Sequence, residues 1–404
     1  MFHPDSKRHI TSGKELLALS ENLRPIYQYC HLSHSKLQNQ HHYNGSKTIH
    51  VMQPSLSSLT SSLTSYRTGG TGYIGGSVLH TIYTAHPDWS ITALLRRVPD
   101  NFTTCYPNIT IVKGDYDSTD LLSSNAETAH IVVHCGDSDH ENSLNALLAG
   151  LLRKSTPGYL IHLSGTGVVS DWRTSTQLGQ LSPKIWSDII SLREITSLPD
   201  GELHRNTEKI LHDTIAKHAE KINIAIMCPP DIYGRGKGIA KTHSALIPML
   251  VHEIRTTNDN RAFYLKDGTN TRSWVHVDDL MRLYLHLVEA AASPDQHPAE
   301  EYFNGGGYYF AATQEHSQLE LAKATGAILY KHGIIQNPEP EQVALDRLDA
   351  MANLPGFPKL SRYLFASNSR TRPKRAEKVF GYKGEALGLM EVLEQDILDA
   401  VQGK

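Results

Sequence analysis

The chain has 404 residues, 39% hydrophobic and 20% charged, with a formal net charge of -3 at pH 7. That length exceeds one usual hydrophobic core, and the near-neutral balance excludes the basic surface of a nucleic-acid binder and the patch of a membrane-surface protein. No apolar run reaches the roughly 18–20 residues that span a bilayer. The four cysteines, Cys30, Cys105, Cys135 and Cys228, form no CxxC pair, and the 23 histidines show no HExxH spacing, so neither a disulfide framework nor a metal site is expected. These features fit a cytoplasmic protein without a nucleic-acid or membrane partner; the expected partner is a small-molecule substrate, and the expected state a monomer or homodimer.

In chain order, residues 1–61 are rich in Ser, His, Asn and Gln, with a short helical possibility around Lys14 to Leu23, and read as a disordered extension. Asp5, Glu15 and Glu21 count against a mitochondrial presequence. From Leu59 to Arg67 the chain should form the strand that leads into the glycines, yet only Leu59 and Leu63 are apolar on one side. A central parallel strand is normally apolar on both faces, and a mispredicted gene start or an unspliced intron in place of the native strand would explain the conflict.

Arg67-Thr68-Gly69-Gly70-Thr71-Gly72-Tyr73-Ile74-Gly75-Gly76 follows. Gly69 permits a tight turn, Gly72 lets the backbone approach phosphate without a Cβ in the way, and Gly75 allows close helix–strand packing. Ile74, Val78 and Ile82 mark the apolar face of the next helix, whose N-terminus would point its partial positive charge at a pyrophosphate. Thr68 to Gly76 resembles the TGxxGxxG signature of the extended and atypical short-chain dehydrogenase/reductases, close to the NAD-dependent epimerase/dehydratase and NmrA-like groups. The resemblance implies an α/β fold, a Rossmann doubly wound parallel sheet with a smaller C-terminal substrate-covering lobe. It puts Gly69, Thr71, Gly72, Tyr73, Ile74 and Gly75 at a nicotinamide dinucleotide. Residues 62–240 would form that domain and 241–404 the lobe, with 272–312 returning to the Rossmann core.

The second strand, Ile91 to Leu95, ends in Arg96-Arg97, where an NAD-selective site carries an acidic residue for the ribose 2′-hydroxyl. Guanidinium binds a 2′-phosphate that a carboxylate would repel, so Arg96 favours NADP over NAD, unless the pair is only a solvated strand end. Ile109 to Asp117 is a strand running into a Gly-Asp turn, and by resemblance Asp115 and Tyr116 lie beside the adenine. Ile131 to His134 is the fourth strand; Cys135 and Gly136 at its exit would sit over the cofactor, with Cys135 read as packing rather than nucleophile.

Tyr159 to Leu163 opens into Ser164-Gly165-Thr166, at the carboxyl end of a parallel strand where such sheets bind ligands. By resemblance, Thr166, or else Ser164, hydrogen-bonds the reacting oxygen. The family's Tyr-x-x-x-Lys pair is sought on the helix around His204 to Leu211, where Lys209 fits and Arg205 occupies the tyrosine position. Arginine stays protonated and cannot cycle as acid and base, although it can stabilise an oxyanion. A proton would then come from His204, Tyr233 or water.

Ile222 to Cys228 leads into Pro229-Pro230-Asp231-Ile232-Tyr233-Gly234, similar to the family's RPxxxYGxG element. This implies that Pro229 and the chain through Ile232 cover the nicotinamide. His276 and Asp279 read as structural. Arg370 and Arg372 read either as surface groups or as ligands of a substrate phosphate. The expected function is NAD(P)-dependent hydride transfer at a carbonyl or alcohol. A nucleotide-sugar epimerase or dehydratase, and a redox-sensing regulator that binds NADP without turnover, are the alternatives.

Overall fold

The computed structural model describes residues 64–173, 176–352, 354 and 357–403. The extension 1–61, and the part of the expected first strand before Thr64, lie outside the described residues.

Seven parallel strands form the main sheet: β1 (Thr64–Thr68), β2 (Ser90–Leu95), β3 (Ile109–Lys113), β4 (Ile131–His134), β5 (Gly158–Leu163), β6 (Ile222–Cys228) and, late in the chain, Tyr308–Phe310. Their order is Tyr308–Phe310, β6, β5, β4, β1, β2, β3, so the strand order reverses between β1 and β4. The carboxyl ends of strands flanking such a reversal open a crevice. Helices α1 (Tyr73–Ala85), α2 (Thr119–Thr128), α3 (Glu141–Leu152) and α4 (Arg205–His218) make the crossovers.

One sheet face packs Ile91, Ala93, Val133 and Ile161 against Val78 and Ile82 of α1. Leu280, Leu283, Tyr284 and Leu287 of α5 (Val277–Ala292) join the same core. The opposite face packs Val132, Leu160 and Ile224 against Leu122 of α2, Leu147 of α3 and Leu211 of α4. A third core lies in the remaining lobe, where Leu250 and Ile254, Phe263, Leu329, Phe365 and Leu393 meet. Three small sheets tie that lobe together; in one of them Thr271–His276 pairs parallel with Asp231–Tyr233 and antiparallel with Gln314–Ser317. His276 and Asp279 serve this framework: the His276 ring accepts from Asp278 N at 3.1 Å to cap α5, and the buried Asp279 carboxylate accepts from Glu385 N and Ala386 N.

β1 is central despite its polarity. Thr64 to Arg67 pair with β2 and Ser65 to Thr68 with β4, which satisfies the backbone on both edges. Two polar side chains find partners: the Tyr66 hydroxyl donates to Leu121 O at 3.1 Å, and Thr68 Oγ1 lies 3.0 Å from His134 Nδ1. Among the described residues the buried Ser65 hydroxyl finds no partner, and neither does Arg67, buried against the apolar face with none of its guanidinium nitrogens hydrogen-bonded.

Candidate active site

β1 delivers the chain into a turn that only glycine builds. Gly69 has φ +80°, and a Cβ there would fall 2.0 Å from the carbonyl oxygen of Cys135. A Cβ on Gly75 would fall 2.4 Å from Gly69 O, so the first turn of α1 lies directly on the loop. Gly72 N donates to Gly69 O at 2.8 Å, and no side chain caps the first turn of α1. Those amide groups and the positive helix end face the crevice, an arrangement that suits a pyrophosphate. The cradle therefore fits a dinucleotide on its own geometry.

The crevice is a cavity of about 1090 Å³, counting the solvent at its mouth. Gly72, Tyr73, Ile74 and Gly75 line one end, Cys135 and Gly136 the floor, and Pro229 and Ile232 the opposite side. Thr71 stands behind the loop, its carbonyl accepting from Lys241 N at 3.3 Å. Tyr73 is pinned by a 2.6 Å hydrogen bond to Gly234 O. Burial pushes the Cys135 thiol up to about 11, which keeps it protonated and unreactive.

The adenine-side candidates are close together without lining this cavity. A Cβ on Gly136 would meet the Tyr116 ring at 2.4 Å, so Tyr116 covers the exit of β4. Asp115 is held in a turn by Ser118, whose hydroxyl donates to its carboxylate at 2.7 Å. Arg96 is exposed at the end of β2, close enough to Tyr116 to act on its hydroxyl electrostatically.

Farther along, Thr166 opens a short 3-10 turn, Thr166–Val169, on the cavity wall; its N–H donates to Pro229 O at 3.0 Å, and its carbonyl accepts from Ser369 Oγ at 2.9 Å. Ser164 does not share that wall. Its hydroxyl turns inward and donates to Glu208 Oε1 at 2.6 Å.

The helix expected to carry Arg205 and Lys209 in the site presents neither there. Lys209 is half-exposed and paired with Asp200 at 2.8 Å. Arg205 donates from Nε to Leu198 O at 3.0 Å and from Nη2 to Thr196 O. The physical reason is register: α4 begins at Arg205 with His204 as its N-cap, and one residue turns a helix by about 100°. The residue of this segment that reaches the cavity is His204, with Glu208 buried one turn behind it.

His204 lines the cavity beside Thr166 and Gly167, with φ 62° and its Nδ1 2.9 Å from Asp139 Oδ1. Both side chains are almost wholly buried. Burial works against the imidazolium, but Asp139, Glu208 and Asp137 outweigh it and hold His204 above its ordinary value. Burial and the neighbouring Asp139 carboxylate also push Asp137 up to about 7. Glu208 accepts from Ser164, from the Tyr308 hydroxyl at 3.1 Å and from Cys228 at 3.5 Å. Tyr233 is excluded from the site, since its hydroxyl donates to Leu387 O at 2.8 Å and accepts from Gln314 at 2.6 Å.

Sequence reasoning missed Asp139, Glu208 and Tyr363. A four-residue His–Glu spacing at the start of α4 was the available signal for Glu208; Tyr363 comes from a lobe segment with no motif. Tyr363 and Leu364 close the cavity with Leu246. The arginines nearby are committed to carboxylates. Arg272 makes two bonds to Asp231, at 2.5 and 3.0 Å, and both Arg370 and Arg372 bond Glu315. Among the described residues no group of three or more His, Cys, Asp or Glu is placed to hold a metal ion, and no helix is long and apolar enough to cross a membrane.

Residues 204–302 match the model of the NAD dependent epimerase/dehydratase family. Oxidase ucsJ of an Acremonium species is 29% identical over 340 residues, 81% of this chain and 95% of its own length. A dTDP-4-dehydro-6-deoxy-D-allose reductase of Streptomyces bikiniensis is 27% identical over 124 residues, 31% of each protein. Among solved structures, UDP-glucose 4-epimerase of Thermotoga maritima with UDP-glucose superposes with a TM-score of 0.53 at 14% identity, over 83% of this chain and 97% of that one. The dTDP-glucose 4,6-dehydratase of Streptomyces venezuelae with NAD and TYD bound gives 0.52 at 17% identity, over 83% and 95%. At such identities these two show the shared fold. With the glycine cradle and the reversed strand order, the matched segment makes this chain similar to the NAD dependent epimerase/dehydratase family over residues 204–302.

Proposed function

We propose that this chain is an NAD(P)-dependent oxidoreductase that moves hydride to or from the carbonyl or alcohol carbon of a small molecule. The observation that carries the reading is the continuity of one cavity from the glycine cradle to Thr166. A nicotinamide dinucleotide bound along it supplies or accepts hydride. The chain's own residues do the rest: the first-turn amides of α1 hold pyrophosphate, Pro229 and Ile232 cover the far end, and Thr166 offers a hydroxyl to the reacting oxygen. Arg96, at the strand end where an acidic residue would select NAD, supports NADP.

The nucleotide-sugar alternative needs cations placed for a second diphosphate, whereas Arg272 is paired with Asp231, and Arg370 and Arg372 are both turned onto Glu315. Tyr363, Leu364 and Leu246 instead offer an apolar and aromatic wall. Titration of the purified protein with NADPH and NADH, followed by tyrosine and tryptophan fluorescence, tests the reading. NADPH is expected to bind at least tenfold more tightly, and Arg96→Asp to reverse the order. Absence of binding by either cofactor would refute it.

A further inference from the structure

We propose that His204, oriented by Asp139, is the acid/base group of this site, replacing a tyrosine–lysine pair with a histidine–carboxylate pair. The proposal rests on the oxidoreductase reading above. Three observations carry it. First, His204 holds a left-handed backbone conformation at the N-cap of a helix, φ 62°, a strained state for a residue with a Cβ that needs a local reason. It is the conformation in which the ring reaches the cavity wall beside Thr166.

Second, the imidazole is fixed at one nitrogen. Nδ1 lies 2.9 Å from Asp139 Oδ1 and 3.4 Å from Ser138 Oγ, which keeps a proton on Nδ1 and leaves Nε2 as the nitrogen that exchanges. Asp139 is itself anchored, its N–H donating to Asp137 Oδ1 at 3.1 Å and its carbonyl accepting from Asn206 Nδ2 at 2.9 Å. Nε2 faces Gly167: a Cβ there would lie 3.3 Å from it and 3.1 Å from the Tyr363 hydroxyl, so glycine preserves the space between Thr166 and the ring.

Third, the charges are exchanged as a set. A tyrosine becomes an anion when it gives up its proton, and a lysine beside it stabilises that anion. A histidine becomes a cation when it takes a proton, and it needs carboxylates. This chain places Asp139 against the ring and Glu208 one helical turn below it. The titratable groups that face His204 are Asp137 and Asp139 after β4, Glu208 on its own helix, His162 on β5, held down to about 3 by burial and by His204, and Tyr363 from the lobe.

In the direction of reduction, hydride arrives with both its electrons from the reduced nicotinamide and bonds to the carbonyl carbon. The π pair of the C=O moves onto oxygen, which takes the proton leaving His204 Nε2. The substrate is reduced, the cofactor oxidised, and neutral His204 recovers its proton from solvent.

The test uses the full chain and two readouts. Histidine side-chain NMR of the protein without cofactor is expected to show His204 titrating above 6.5, and Asp139→Asn to lower that midpoint. With NADPH and 9,10-phenanthrenequinone as the carbonyl probe, His204→Gln should retain NADPH binding and lose about 100-fold or more in turnover, the usual share of a general acid. Asp139→Asn should shift the pH profile of turnover to lower pH. The proposal is overturned if Asp139→Asn leaves the His204 midpoint unmoved. It is equally overturned if His204→Gln turns over normally, including the case in which Tyr363→Phe is the variant that fails. Failure of the unaltered protein to bind NADPH would remove the oxidoreductase reading itself, and with it this one.

Discussion

Two residues of β1 and its turn stand at opposite extremes of local fitness. Gly69 does what no other residue can, with its positive φ and the Cys135 carbonyl 2.0 Å from where a Cβ would go. Arg67, two positions earlier, puts a guanidinium into an apolar layer with Val133, Ala93 and Tyr284, and burial drags its pKa down to about 9. A buried cation without a partner is among the costliest groups a core can hold. Arg67→Leu is therefore expected to stabilise the fold by about 1–4 kcal/mol, the range found when buried charges give way to packed hydrophobes. Urea denaturation checks this as a higher midpoint at unchanged slope.

At the scale of elements, the helix that mattered most was legible in existence but not in register. Its apolar face at Leu211 was readable, and so was a four-residue spacing ending at Lys209. The search for a lysine led to Lys209, one position past the buried Glu208. A rotation of 100° separates a buried carboxylate from a solvated ion pair, and only packing against Ser164 and Tyr308 decides which is which. The same holds where Asp231–Tyr233 meets Thr271–His276. Sequence showed two separate motifs, while the fold joins them through Arg272, which bonds Asp231 twice, donates to Tyr363 O at 2.8 Å and stacks on the Tyr363 ring at 4.7 Å. Arg272→Met leaves the nearly buried Asp231 carboxylate uncompensated and is expected to cost about 3–5 kcal/mol. Removing both charges with Asp231→Leu in addition should cost less than the single change. A double-mutant cycle on denaturation midpoints measures the difference, and additive costs would mean that the pair is not coupled.

Across the whole molecule, the Rossmann half was readable because each strand ends in its own chemistry: glycines, Arg96, the Gly-Asp turn, Cys135-Gly136, Thr166. The pairing within the lobe was not, because Phe263–Leu265 meets Glu341–Val343 across 78 residues, a partnership that no local signal carries. β1 was read as a polar strand in a central place, and it is one, paired on both edges with Arg67 buried between them. Asp188 shows how the two halves are tied. Its carboxylate accepts from Phe310 N on the sheet edge and from Arg375 N in the closing segment, both at 3.0 Å, and it is wholly buried. Burial raises it from 3.8 to about 7, against the pull of those amides. A carboxylate whose folded value is raised stays protonated in the native protein while the unfolded chain ionises. Stability from this group is thus greatest near pH 4, falls as pH rises toward 7, and is level above. Relative to Asp188→Asn, which cannot ionise, the native protein should lose on the order of 4 kcal/mol across that window. Asn supplies one acceptor where the carboxylate supplies two, so the variant carries an additional cost that does not change with pH. Chemical denaturation of both proteins from pH 4 to pH 8 separates the two effects. A difference that slopes downward and then flattens near pH 7 establishes Asp188 as a protonated joint between sheet and lobe; a difference constant across the range means that it ionises like an exposed carboxylate.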